Sequence, residues 1–212
     1  MSTLIDITRP VTPDLQVWPG DTPYSATYVM RLAAGDSCNV SAITMSAHTG
    51  SHADAPYHFV EDGPRMAEMP LDAYMGPATV IDLTQALPEG GPILPEHLAG
   101  VDLDRIERLL VKSRTSFVPH HEWDRKTVYL AVETAHLLGA HGVRLFGTDA
   151  PSVDHQDSLT LDAHKALHRR GVVILENLYL RDVAPGDYEL IALPLKLDND
   201  GSPVRAVLRK EP

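Results

Sequence analysis

The chain of 212 residues sets 18 Lys and Arg against 29 Asp and Glu, for a formal charge of −11. Its length favours a single domain spanning 1–212, and its acidity without a basic stripe excludes a nucleic-acid binder, which needs phosphate-neutralising cations. Hydrophobic residues at 43% exclude a disordered chain, and no apolar run reaches the roughly 20 residues of a membrane span. The lone Cys38 forbids an internal disulfide and suits a reducing compartment. The first residues show no basic, then apolar, leader pattern, so a cytoplasmic location is expected. Histidine is out of proportion, with 11 copies against 7 Tyr and 3 Phe.

In chain order, Leu4–Ile7 reads as a short strand. Pro10, Pro13, Pro19 and Pro23 then impose an ordered loop around Trp18, because each proline removes a donor and restricts its predecessor. Thr27–Leu32 and Val40–Ala47 alternate as two strands about a Gly35-Asp36-Ser37 turn. Further strands are expected at Thr79–Leu83 and Arg108–Lys112, with a short helix near Pro95–Ala99. Helical spacing is clearest at Val132–His141, stopped by Gly142, and at Leu161–Arg170, stopped by Gly171, with Asp157, Ser158 and Thr160 available as caps. Each helix leads into an apolar run, Val143–Phe146 and Val172–Leu175, that reads as a buried strand. Glu189–Leu195 and Val204–Leu208 are the closing strands. The pattern predicts one α/β domain with a mixed β-sheet core and a few flanking helices.

The chemistry concentrates in His48-Thr-Gly-Ser-His52-Ala-Asp54-Ala-Pro-Tyr-His58. A helix is excluded by Gly50 in its interior and Pro56 at its end. In extended chain all four polar positions share one parity and one face, but at about 3.3 Å per residue His48 and His52 would lie roughly 13 Å apart. Gly50 can supply the bend that folds His48 back. His52 and Asp54, about 6–7 Å apart on one face, converge without a bend, while Pro56 should turn His58 to a place beside the ion. Two imidazoles and a carboxylate make an open zinc-type site. Glu176 ends an apolar run, and a buried carboxylate there is costly unless paired or metal-bound. On the second helix His164 and His168 compete as candidates, and His168, beside Arg169 and Arg170, reads as surface. Trp123 reads as a surface or interface aromatic.

This segment resembles the H-x-G-T-H-x-D-x-P-x-H signature of the cyclase family of metal-dependent hydrolases, with Ser51 keeping the hydroxyl of the signature threonine. The likeness covers almost the whole chain. It takes in Val17–Pro23, Pro70–Tyr74, Gly147–Ser152, Asp162–His164, Ile174–Asn177, Pro185–Leu195 and Pro203–Arg209, pieces that look like the kynurenine formamidase branch. The resemblance implies a cyclase-like swivelling β/α fold and two zinc ions per subunit, or manganese or another divalent ion. His48, His52 and Asp54 would hold one ion. Asp54 would bridge to a second on His164, with Glu176 touching both. It also implies His58 as acid–base residue, Trp18 as an aromatic substrate contact and a homodimer. The implied reaction is hydrolysis of N-formyl-L-kynurenine to L-kynurenine and formate in tryptophan degradation. A related hydrolase of isatin-like or cyclic amides would carry the same metal residues. A non-catalytic metal-binding protein would instead show closed coordination. A serine hydrolase is excluded by the lack of a G-x-S-x-G elbow.

Overall fold

The computed structural model describes residues 3–210. Its centre is made by the apolar runs that alternation cannot explain. Strands β1 (Thr3–Asp6), β2 (Ser25–Met30), β3 (Val40–Thr44), β4 (His52–Asp54), β5 (Met75–Asp82), β6 (Gly91–Ile93), β7 (Arg108–Lys112) and β8 (Val128–Leu130) precede helix α1 (Val132–Ala140). After it come β9 (Leu145–Thr148), helix α2 (Asp162–Arg169), β10 (Val173–Glu176), β11 (Gly186–Ile191), β12 (Gly201–Pro203) and β13 (Val207–Lys210). Nine strands form one mixed sheet in the order β1-β13-β11-β5-β7-β9-β10-β4-β12. Its middle, β5-β7-β9-β10, is parallel, and all other pairs are antiparallel.

Both faces of β7, β9 and β10 are buried, which is why these strands read as largely apolar runs. Leu109, Val111, Phe146 and Ile174 pack with Ala163 and Leu167 of α2 and Leu138 of α1 on one face. Leu110, Leu145 and Leu175 join a second core with Ile7, Ala53, Leu190 and Leu208. Ala53 on β4 and Leu208 on β13 lie near opposite ends of the strand order yet share that core, so the sheet curls on itself.

Most expected elements are present within one to four residues. Leu32, expected to end a strand, opens a 3-10 turn at Leu32–Ala34, and the last two strands start at Gly186 and Val207 instead of Glu189 and Val204. Val204 makes only an isolated bridge to Pro194. Four strands, β4, β6, β8 and β12, carry no sequence signal, being three residues each and fixed by their neighbours. The expected caps of the second helix are also replaced. The Asp154 carboxylate accepts from the Ala163 and His164 amides at 3.0 and 3.1 Å, because Leu161 enters the helix with φ 50° and directs those amides inward. Among the described residues no helix is long and apolar enough to cross a membrane.

Candidate metal centre

The site is assembled at the C-terminal ends of β9 and β10, where the short strand β4 crosses antiparallel to β10. Gly50 has φ 68°, the left-handed bend that brings His48 back toward His52, and a side chain there would also sit 3.1 Å from Val11. The Ser51 hydroxyl donates to the Asn177 carbonyl at 2.7 Å and accepts from the Arg9 amide at 2.9 Å, tying the bend to the end of β10. In the β4–β10 register His52 lies opposite Glu176, and Asp54 opposite Ile174. Strand period then puts His52, Asp54 and Glu176 on the face covered by α2, while Ala53 and Leu175 enter the opposite core. Helix α2 delivers His164 from above that face, on the same buried side as Ala163 and Leu167. Pro56 opens a 3-10 turn, Pro56–His58, that sets His58 beside the cluster.

These groups converge. His48 Nδ1 is 3.0 Å from Asp54 Oδ1, and His52 Nε2 is 3.4 Å from that oxygen and 3.2 Å from Glu176 Oε2. His164 Nε2 is 3.3 Å from both Asp54 Oδ2 and Glu176 Oε1. Two largely buried triads, His48/His52/Asp54 and Asp54/His164/Glu176, share Asp54, and a third, His48/His58/Asp200, lies more exposed beside them; each has donor atoms close enough to share one ion. Each imidazole has its second nitrogen engaged. His52 Nδ1 is 2.9 Å from the Gly50 carbonyl, His164 Nδ1 2.6 Å from Asp154 Oδ2, and His48 Nε2 3.0 Å from Asp200 Oδ2.

The donor set fits a divalent cation. Both oxygens of Asp54 and Nε2 of His164 are buried with no hydrogen-bond partner, a cost that a protein avoids unless another group satisfies them. Burial alone would raise the Asp54 carboxyl, but His164, His48 and His52 outweigh it and hold it well below the ordinary range. Burial likewise depresses the His48 imidazolium, yet Asp200 and Asp54 carry it from 6.5 to about 10. His164 is raised against burial by Asp154, Asp54 and Glu176. The directions agree: two carboxylates removed from water call for positive charge, as protons on imidazole or as a metal ion. His58 behaves differently. Burial lowers its imidazolium, and the nearby His48 and His164 add to the effect.

A cavity of about 480 Å³ opens over the cluster, lined by His48, His52, His58, His164 and Glu176 on its floor and by Trp18, Trp123 and Leu159 among its walls. Trp18 and Trp123 meet edge to face at 5.4 Å between ring centres. The Pro-braced loop of Trp18 thus lines the cavity over the cluster. Trp123, which the sequence offers as a surface or interface aromatic, is half-exposed and lines the same cavity.

Comparison with known proteins agrees with this geometry. The family model described as "Putative cyclase" matches residues 5–155. The chain belongs to the cyclase family. Over the full length of both chains it is 30% identical, with a TM-score of 0.85, to a protein named "potential metal-dependent hydrolase with cyclase activity". A protein of Bacillus stearothermophilus named "predicted metal-dependent hydrolase" is 29% identical over 100% of both chains at the same TM-score. Isatin hydrolase A of Labrenzia aggregata, bound to benzyl benzoate, is 26% identical over 98% of this chain and 93% of its own, again at 0.85. The fold is that of the cyclase-family metal-dependent hydrolases.

Three features around the cluster carried no signal in the sequence. Asp154 both caps α2 and holds His164; its Ser152-Val-Asp154 setting carries no pattern beyond a polar loop. Asp200 lies in Leu197-Asp-Asn-Asp-Gly201, which signals only a turn. Trp123 stands beside polar residues and was legible only as an aromatic. His164 is buried in the cluster, whereas His168 is half-exposed against the edge of Phe59 and belongs to none of the triads.

Proposed function

We propose that the chain hydrolyses N-formyl-L-kynurenine to L-kynurenine and formate, with His48, His52 and Asp54 holding one divalent ion and Asp54, His164 and Glu176 a second, zinc being the expected metal. The observation that carries the reading is an open cavity in which two tryptophans face the buried His/Asp/Glu cluster. A divalent ion held there would supply Lewis acidity, bringing the ionisation of water toward neutral pH and polarising an amide carbonyl. This chain's residues do the rest. His58, neutral near pH 7 because its imidazolium is depressed, accepts the proton of the attacking water and returns it to the departing arylamine nitrogen. Trp18, with Trp123 at its edge, presents an aromatic wall to the aryl ketone. The formyl group is too small to supply much binding energy, so recognition falls on the leaving portion. Asp54 and Glu176, buried and unable to leave the cluster, fix the positions of the three imidazoles.

A second reading, hydrolysis of an isatin-like cyclic amide, is favoured by the likeness to isatin hydrolase A. Side-by-side turnover of N-formyl-L-kynurenine and isatin by purified, metal-analysed protein separates the two. Formamidase activity should disappear on chelation and return with zinc or manganese. Activity that persists in metal-free protein, or exclusive turnover of isatin, removes the first reading. A homodimer and a reducing, cytoplasmic setting complete the proposal; Cys38 is exposed and free.

A further inference from the structure

The three clustered histidines follow one rule: one nitrogen faces Asp54 or Glu176, and the other is held by an acceptor outside the cluster. For His52 that acceptor is the Gly50 carbonyl and for His164 it is the Asp154 carboxylate. For His48 it is Asp200, at 3.0 Å from Nε2. Asp200 differs in two respects. Its side chain remains 40% exposed, and the same oxygen lies 3.6 Å from Nδ1 of His58. The His48 and His58 rings lie against one another, with centres 4.2 Å apart and planes inclined by 39°.

Backbone pairing places this carboxylate. β12 runs against β4 with Gly201 opposite Asp54, and one step further the Asp200 carbonyl accepts from the Ala55 amide at 2.9 Å. The preceding turn is pinned by the Met66 amide donating to the Asn199 carbonyl at 3.0 Å. Gly201 completes the seat, because a Cβ there would lie 2.9 Å from Cε1 and 3.1 Å from Nε2 of His48. Only glycine lets the ring settle against the strand with Nε2 on the carboxylate.

From this geometry we infer that Asp200 is a positioning residue that fixes which nitrogen His48 offers to the metal and holds His58 at the mouth of the same site. The inference rests on the reading that His48 is a metal ligand. With Nε2–H donating to Asp200, His48 presents Nδ1 toward Asp54, as it must for the two to share an ion. At 3.6 Å the contact with His58 is too long for a hydrogen bond. It acts as a charge that favours one placement of the ring, keeping the acid–base residue next to the ligand it stacks on. A carboxylate on a ligand histidine also raises the ligand's basicity.

The test measures zinc affinity of the full chain by competition with a chromophoric chelator, together with the absorption spectrum of the cobalt(II) form. Asp200→Ala should weaken zinc binding by about 10–100-fold and alter the cobalt spectrum, while still taking up the wild-type number of equivalents at saturation. Asp200→Asn, which keeps an acceptor oxygen but no charge, should lose less. Turnover of N-formyl-L-kynurenine should fall in kcat with KM within about twofold, since Asp200 fixes ligands and not the aryl group. Gly201→Ala, which leaves the carboxylate intact, should weaken zinc in the same direction. Wild-type affinity and spectrum in both Asp200 variants would overturn this inference alone. Loss of a whole equivalent at saturation would make Asp200 a ligand and overturn its positioning role. A wild-type chain that binds no zinc would overturn this inference together with the functional reading beneath it.

Discussion

At the scale of single residues the site separates groups that hold charge from the one proposed to move a proton. His48 and His164 are pushed up by carboxylates, while burial pulls His58 below 6.5 against the opposing charge of Asp54, with His48 and His164 reinforcing the burial. A depressed imidazolium leaves the neutral, proton-accepting form in place at pH 7, and that form is lost only as pH falls through the lowered value. The acid limb of wild-type kcat/KM should therefore lie below pH 6.5. In His58→Ala, metal content should stay at the wild-type stoichiometry and kcat should drop by about 10²–10⁴-fold. Asp54→Ala should lose metal as well, because its two oxygens serve both triads. Wild-type turnover in His58→Ala would remove the acid–base assignment.

At the scale of elements, the smallest strand has the largest role. β4 is three residues long, yet pairing with β10 on one side and β12 on the other fixes His52, Glu176 and Asp200 relative to one another. Helix α2 is tied to the same centre by Asp154, which accepts two helix amides and contacts His164 Nδ1. The helix cap and the orientation of His164, a proposed metal ligand, are thereby one interaction. Asp154→Ala should cost about 1–2 kcal/mol of stability, the range for a lost N-cap, and about 10–100-fold in zinc affinity. Calorimetry and metal titration on the same sample check both. A stability loss with unchanged affinity would mean that Asp154 only caps the helix.

At the scale of the whole molecule, the β2–β3 hairpin stands apart from the curled sheet and carries several exposed apolar side chains. That hairpin pairs with no other strand among the described residues and exposes Val29, Ile43, Tyr28 and Val40. Isolated two-stranded hairpins are marginal in water, and a clustered apolar surface of this kind marks an interaction site. A second copy of the chain is the occupant that the proposed homodimer supplies. Sedimentation at micromolar concentration should give a dimer for the wild type and a monomer for a Val29→Asp, Ile43→Asp double variant. A wild-type monomer would dismiss the dimer.

By itself the sequence determined the parts that depend on neighbours along the chain. The His48–His58 motif declared its donors, Gly50 its bend, Pro56 its exit and the Val172–Leu175 run the buried setting of Glu176, because backbone freedom and strand period act over a few residues. The α/β class followed from the same short-range periodicities. Tertiary structure decided what had to be brought from afar. Asp200 meets His48 across 152 positions of sequence, and Trp123 closes on Trp18 only when two irregular loops pack together. The three-residue strands β4 and β12 have too few residues to show any period; β4 forms because β10 offers unpaired backbone groups beside it, and β12 because β4 then does the same. Donors are chosen by residue type, which the sequence prints. Their orientation is set by long-range backbone pairing, which exists only once the sheet has curled.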